Sequence, residues 1–323
     1  MDVLSDAITA MRTGRPHSAR TRRHAPWGLR FAPFPAAGFH VVLQGMCWLF
    51  PPHGEPIALS AGDVVFLPHG HGHGLADSST TPLSDVDSTA LPEFRADRDQ
   101  EGGTTALLCG AYLLDQARPH PLLAELPEVV HLPARIGRHP ALRAAVDLLG
   151  AELTEPGPGA DAALPALLDV LLLYLLRAWL ADQAGQHDRH TGWVAALNDP
   201  VVAAALRGIH HDPGRQWTVQ ELGAHAGLSR AAFAKRFTAL VGQPPLAYLT
   251  WWRMTLAAQL LRDSDVPLRT VAERTGYASE FAFAKAFKRE YGTAPGRYRS
   301  DRSDRSARRD QPGPGAPASV SGG

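Results

Sequence analysis

The residues with the clearest chemistry stand in a repeat. Phe233-Ala234-Lys235-Arg236-Phe237 recurs as Phe283-Ala284-Lys285-Ala286-Phe287. On a helix, phenylalanines four apart share one face and the lysine between them turns to the other. A lysine displayed twice opposite a buried face suits contact with a phosphate or a base edge of DNA. A second set lies in the first half, where His69, His71 and His73 alternate. Alternate positions of a strand share a face, so three imidazoles could converge on a metal ion, although the intervening glycines favour a turn. The two cysteines, Cys47 and Cys109, are too few for a disulfide scaffold and lack metal-ligand spacing. Cys109 sits in an apolar run with Tyr112, so a buried thiol is expected. A redox role would need a lowered pKa and access.

These residues need elements to hold them. Thr218 and Glu221 form a capping box for a short helix through Ala226, Gly227-Leu228-Ser229 makes a turn, and Ser229 caps a second helix. A longer helix over Pro245–Leu261 follows, with Tyr248, Trp252, Leu256 and Leu260 spaced for burial. The unit then repeats: Pro267 opens a helix to Thr275, Gly276–Ser279 turns, and Glu280–Tyr291 is the second recognition-type helix. Two helix-turn-helix units in tandem point to DNA.

From Phe31 to Pro133 the signals are those of strands, with apolar runs at Phe39–Leu43, Cys47–Phe50, Asp63–Leu67 and Ala106–Leu114 between Gly and Pro turns. Residues 77–103 read as a polar surface loop. From Pro140 the period becomes helical, and Leu164, Leu167, Leu168, Leu171, Leu175 and Trp179 form a stripe. The stripe is expected to pair two copies of the chain. Its uninterrupted apolar core, Val170–Leu176, is too short to span a membrane. Residues 183–190 read as a linker and residues 300–323 as a disordered tail.

The 323 residues carry no net charge, yet the charge is divided. Residues 1–185 hold 13 basic and 20 acidic side chains; residues 186–300 hold 15 and 9. All three lysines, Lys235, Lys285 and Lys288, lie in the basic part. A polyanionic partner is therefore expected for the second half alone. With no signal peptide, the cytoplasm is the expected compartment, without membrane attachment.

Residues 193–299 resemble the DNA-binding region of AraC/XylS-type transcriptional regulators. The resemblance is carried by Ala226-Gly227-Leu228-Ser229, Phe237, Val241-Gly242, Pro245, Tyr248, Trp252-Arg253, Gly276-Tyr277, Ser279, Ala286-Phe287-Lys288, Tyr291-Gly292 and Tyr298-Arg299. It implies operator binding, and activation through RNA polymerase. It also places base-reading positions at Ala231, Ala234 and Lys235, and at Glu280, Phe281, Ala284 and Lys285. Arg230, Arg236, Lys288 and Arg289 are then expected at phosphates. Residues 62–77 resemble the second cupin motif, through Gly62, Pro68, Gly70, His73, and Asp77 where Asn is usual. A catalytic cupin needs an upstream His-X-His and a Glu, and only His53 and Glu55 stand upstream. A metal-dependent enzyme is therefore the weaker reading, and no cofactor is expected.

The resulting expectation is an α+β chain: a cupin-like sensor β-barrel over 1–135, a helical connector over 136–190, an all-α domain of two helix-turn-helix units over 191–299, and a tail from 300. An effector, a small molecule or an oxidant, is expected at His73, Cys109, Cys47 and Tyr112.

Overall fold

A computed structural model describes residues 2–86, 104–115, 118–135, 137–184, 192–224 and 227–300. Of the expected loop over 77–103, residues 87–103 lie outside the described residues, as do residues 185–190 of the expected linker over 183–190, the helix end at Ala226, and all of the expected tail but Ser300. Helix α1 (Val3–Met11) precedes strands β1 (His17–His24), β2 (Gly28–Phe31), β3 (Ala37–Gln44), β4 (Met46–Phe50), β5 (Ile57–Ser60), β6 (Val64–Leu67), β7 (His73–Ala76), β8 (Ser84–Asp85) and β9 (Thr104–Tyr112). Helix α2 (Pro121–Glu125) and strand β10 (Val130–Leu132) complete the sheet region. The strands form two sheets in the orders β1-β9-β3-β6-β10 and β5-β4-β7-β2-β8, antiparallel except for β2 with β8.

The pleat decides which side chains meet. On β9, Leu107 and Cys109 turn inward to Val42, Cys47, Leu49, Val65 and Leu75. Tyr112 is an odd number of residues from Cys109 and faces the other way, against Phe39 and Phe66. That outer apolar face needs a cover, and the helices after the barrel supply it. These are α3 (Pro140–Thr154) and α4 (Ala160–Ala184). The Tyr112 hydroxyl donates to the Leu168 carbonyl of α4 at 2.8 Å, and Arg12 pairs with Asp169 at 2.5 Å.

Leu168, Leu171, Leu175 and Trp179 are therefore buried within the chain itself. This corrects the expectation that the stripe is a dimer face: the barrel's own outer face already needs it. Helix α4 is long and apolar enough to cross a membrane by length and composition. Its buried stripe and its ion-paired Asp169 make it a core helix of the barrel half instead. Strand β1 was not expected, because its three arginines give no apolar signal. It forms because β9 offers an edge, and His17–His24 pairs with Ala111–Thr104 in continuous register.

The remaining helices are α5 (Trp193–Asn198), α6 (Pro200–His211), α7 (Val219–Ala224), α8 (Arg230–Val241), α9 (Pro245–Asp263), α10 (Leu268–Arg274) and α11 (Glu280–Tyr291). The chain divides into two compact units. One holds the residues up to Ala203 together with Lys235–Gln243; the other holds Ala204–Ala234 and the residues from Pro244. In the second unit, Met254, Ala257 and Leu261 of α9 pack with Val271 of α10 and with Phe283 and Phe287 of α11.

Candidate nucleic-acid interface and sensor pocket

Local rules build both helix-turn-helix units. Thr218 donates its N–H and hydroxyl to Glu221 Oε2, each at 2.8 Å, and the Glu221 N–H returns to Thr218 Oγ at 3.1 Å. The reciprocal bonds satisfy the free N–H groups at the start of α7. Ser229 and Ser279 cap α8 and α11, accepting from the N–H groups of Ala232 and Ala282 at 3.3 and 3.2 Å. Gly227 and Gly276 turn the chain at φ +66° and +76°. At Gly276 a Cβ would also strike the Arg253 guanidinium at 2.5 Å. Arg253 is held there by the carbonyls of Pro213 and Arg215. Pro267 serves as the N-cap of α10, one position earlier than expected.

Phe233, Phe237, Phe283 and Phe287 are fully buried. The face opposite them is therefore the one α8 and α11 present outward. On α8 it carries Arg230, Ala231, Lys235 and Arg236, with Ala234 half-buried. On α11 it carries Glu280, Phe281, Lys285 and Lys288, with Ala284 half-buried. Phe281 is 80% exposed, an unusual cost for a large apolar ring. Arg230, Lys235, Lys285 and Lys288 have no carboxylate partner among the described residues.

Two arginines expected at phosphates are already engaged. Arg289 pairs with Glu290 at 3.0 Å. Arg236 donates through Nε to Asp199 Oδ2 at 2.7 Å. Asp199 uses its other oxygen to accept from the N–H groups of Val201 and Val202, capping α6. Its partial burial acts to raise its pKa, but the hydrogen bonds from Val202 and Arg236 outweigh that and hold it below the usual range.

Inside the barrel the three alternating histidines diverge. His69 Nε2 meets the Leu126 carbonyl at 2.9 Å, and His71 lies 3.6 Å from Glu128. His73 turns inward to His40, Nε2 to Nε2 at 2.7 Å, a bond that joins the two sheets. Phe31, its cross-strand partner in the register, stacks on His73 with centroids 4.7 Å apart. His40 is the residue that sequence reasoning missed, and it corrects the statement that only His53 and Glu55 stand upstream.

Burial pushes the His40 pKa well below its ordinary value, with the nearby His73 adding to this, and burial lowers His73 to about 4. Both rings are thus neutral near pH 7. One donates and the other accepts, and His40 Nδ1 is left buried without a partner. The 2.7 Å separation is that of a hydrogen bond, since two ligands of one tetrahedral ion sit about 3.3 Å apart. Among the described residues no three His, Cys, Asp or Glu side chains are grouped to hold a metal.

Cys109 is the cross-strand neighbour of His40, and Cys47 lies in the same core cluster. Burial pushes both thiols up to about 12; Asp63 adds to the shift at Cys47, and Cys47 adds to it at Cys109. The interior therefore gathers His40, His73, Cys47 and Cys109. Tyr112, expected beside them, is on the outer face and anchors α4.

Family comparison agrees with both halves. A cupin model matches residues 2–181, and a helix-turn-helix domain model matches residues 222–301. A putative AraC-like transcription regulator of Streptomyces antibioticus is 36% identical over 301 residues, 93% of this chain and 98% of the relative. The chain belongs to the AraC family of transcriptional regulators. Two further relatives span most of it. The HTH-type transcriptional regulator AlkR of Acinetobacter baylyi is 30% identical over 308 residues, covering 93% of this chain and 99% of AlkR. The RCS-specific HTH-type transcriptional activator RclR of Escherichia coli is 33% identical over 264 residues, covering 81% and 83%. As an AraC-family member, the chain is a DNA-binding regulator with a cupin half and a helix-turn-helix half.

Proposed function

We propose that the chain is an operator-binding activator, without enzymatic activity, whose DNA affinity is set by a signal read in its barrel. The observation that carries the DNA reading is the outward face of α11, with exposed Phe281, Lys285 and Lys288, the lysines without a carboxylate partner among the described residues, and Glu280 beside them. Lysine can donate to guanine, Glu280 can accept from cytosine, and a bare aromatic ring can pack on a thymine methyl. On α8, Ala231 and Ala234 pack on methyls and read shape, while Arg230 and Lys235 meet phosphate. The domain limits proposed are 1–135 for the sensor, 136–190 for the connector, 191–299 for DNA binding and 300–323 for the tail. RNA polymerase is the proposed target of activation and the cytoplasm its place. A homodimer is proposed through surfaces other than the covered leucine stripe.

For the signal, the neutral His40–His73 pair is the polar feature of an otherwise apolar interior, and it suits a small molecule that exchanges hydrogen bonds with imidazole. An oxidant is the second and weaker reading: Cys47 and Cys109 share one cluster, but burial raises both thiols, so oxidation requires an opening that exposes them. A signal acts only if it prefers one of two arrangements of the chain. Genome-wide mapping of binding sites, followed by reporter assays from the mapped promoters, tests the whole reading. His73→Ala should abolish a small-molecule response, Cys109→Ser an oxidant response, and both should leave basal operator binding intact. Normal induction in both variants would remove the barrel interior as the sensor.

A further inference from the structure

Away from the barrel interior and the recognition helices, guanidinium groups collect at one more place. A small open cleft of about 30 Å³ lies where the β5–β6 turn and the end of β10 meet the start of α3. Arg135, Arg138, His139 and Arg143 line it above the apolar residues Val64 and Leu132. Arg143 rests on Gly62: at φ +92°, a Cβ on that glycine would come within 2.6 Å of guanidinium Nη1. Arg138 donates to Asp182 Oδ1 at 2.6 Å, and His139 Nε2 lies 3.1 Å from the same oxygen. Arg135 and Arg143 have no carboxylate partner among the described residues.

Helix α3 also begins in this cleft. His139 is its N-cap in the left-handed region at φ +52° and gives no side-chain cap, while Pro140 has no N–H to offer. The first turn of α3 thus has no side-chain cap beside the arginines. Two unpaired guanidiniums beside an uncapped helix start make a local excess of donors and positive charge.

The geometry points to a binding site for a small oxyanion, a carboxylate or a phosphate group, held between Arg135 and Arg143 at the start of α3. The inference deepens the reading of the barrel half as a sensor, and only its regulatory consequence rests on that reading. An anion here competes with Asp182 for Arg138 and His139. Asp182 lies in the last turn of α4, shortly before the segment that leads to α5. Occupancy thus exchanges a tie on the end of α4 for a tie to the ligand, and emptying the cleft restores it.

The test uses the full chain and two probes, sodium phosphate and sodium acetate, titrated calorimetrically at constant ionic strength. Saturable one-to-one binding of at least one probe is expected, and the tighter probe identifies the source as phosphate or carboxylate. The double variant Arg135→Gln, Arg143→Gln should weaken it at least about tenfold. Both side chains are exposed and unpaired, so the thermal melt of the double variant should match that of the parent. Asp182→Asn should tighten binding about threefold by removing the competing charge. Absence of saturable binding for both probes, or equal binding by the double variant, overturns the site. An unchanged affinity in Asp182→Asn overturns the exchange. Operator binding by the same preparation is measured in parallel; its loss with intact anion binding counts against the regulator reading and not against the cleft.

Discussion

The two helix-turn-helix units are built alike and equipped differently. Each has a capping serine, a glycine turn with positive φ and two fully buried phenylalanines. Outward they diverge. Helix α11 shows a bare phenylalanine, a carboxylate and two unpaired lysines. Helix α8 shows alanines, one unpaired lysine and an arginine held by Asp199. The compact units divide within α8, so its second half belongs with the barrel, whereas α11 lies wholly in the other unit. A shared scaffold thus serves two tasks. On the proposed reading, the second helix-turn-helix unit discriminates sequence and the first anchors.

The largest test removes the scaffold of one unit alone. Phe287→Ala should cost about 3–5 kcal/mol, because a fully buried ring leaves a cavity that its neighbours fill only in part. Chemical denaturation should then show an early transition for the second unit, with the barrel transition unchanged. A single shifted transition would mean that the two halves unfold as one and would weaken the division of tasks.

Next comes the lysine pair. Lys285→Ala should weaken operator binding by about 1–3 kcal/mol, concentrated at one base pair. Lys235→Ala should weaken all sequences alike and lower the salt slope by about one. Equal and position-selective losses at both would erase the contrast between the units. Phe281→Ala refines it further. Replacing thymine by uracil in the operator removes a methyl group, so wild type should lose about 1 kcal/mol at the contacted step. The variant should lose nothing more on that replacement. Sensitivity retained in Phe281→Ala would assign the methyl contact elsewhere.

The same contrast separates what the sequence made legible from what it hid. Capping serines, glycine turns and phenylalanines at i and i+4 are local signals, so both units were readable with nearly their final bounds. The strands β3, β4, β6 and β9 also announced themselves as apolar runs. Strand β1 did not, because only the free edge of β9 makes its arginine-rich residues a strand. His40 was hidden because its partner is 33 positions away and meets it only when two sheets close. A signal did exist: His40 is two residues from the inward Val42 and so shares its face. The same rule, applied to Cys109 and Tyr112, would have put them on opposite faces. The leucine stripe was seen correctly as buried but given to the wrong partner, since sequence alone does not show that the barrel's outer face needs covering.

The smallest expected effect tests the tie on α8. Asp199 does two jobs: one oxygen caps α6 and the other holds Arg236. Asp199→Asn separates them, because asparagine remains a good N-cap while its charge is gone. Arg236 is exposed and Asp199 partly buried, so the pair contributes modestly and the melt should move by about 1 kcal/mol. Arg236, released, can turn to a phosphate, and operator affinity should rise by about twofold to fivefold. The salt dependence should steepen by about one counterion, since one more phosphate is neutralised. Arg236→Gln should remove that gain in the double variant, which shows that the arginine and not a relaxed helix is responsible. If Asp199→Asn leaves both affinity and salt slope unchanged, Arg236 does not reach DNA. The first unit would then anchor through Arg230 and Lys235 alone, and the Asp199 bridge would be only a brace between α6 and α8.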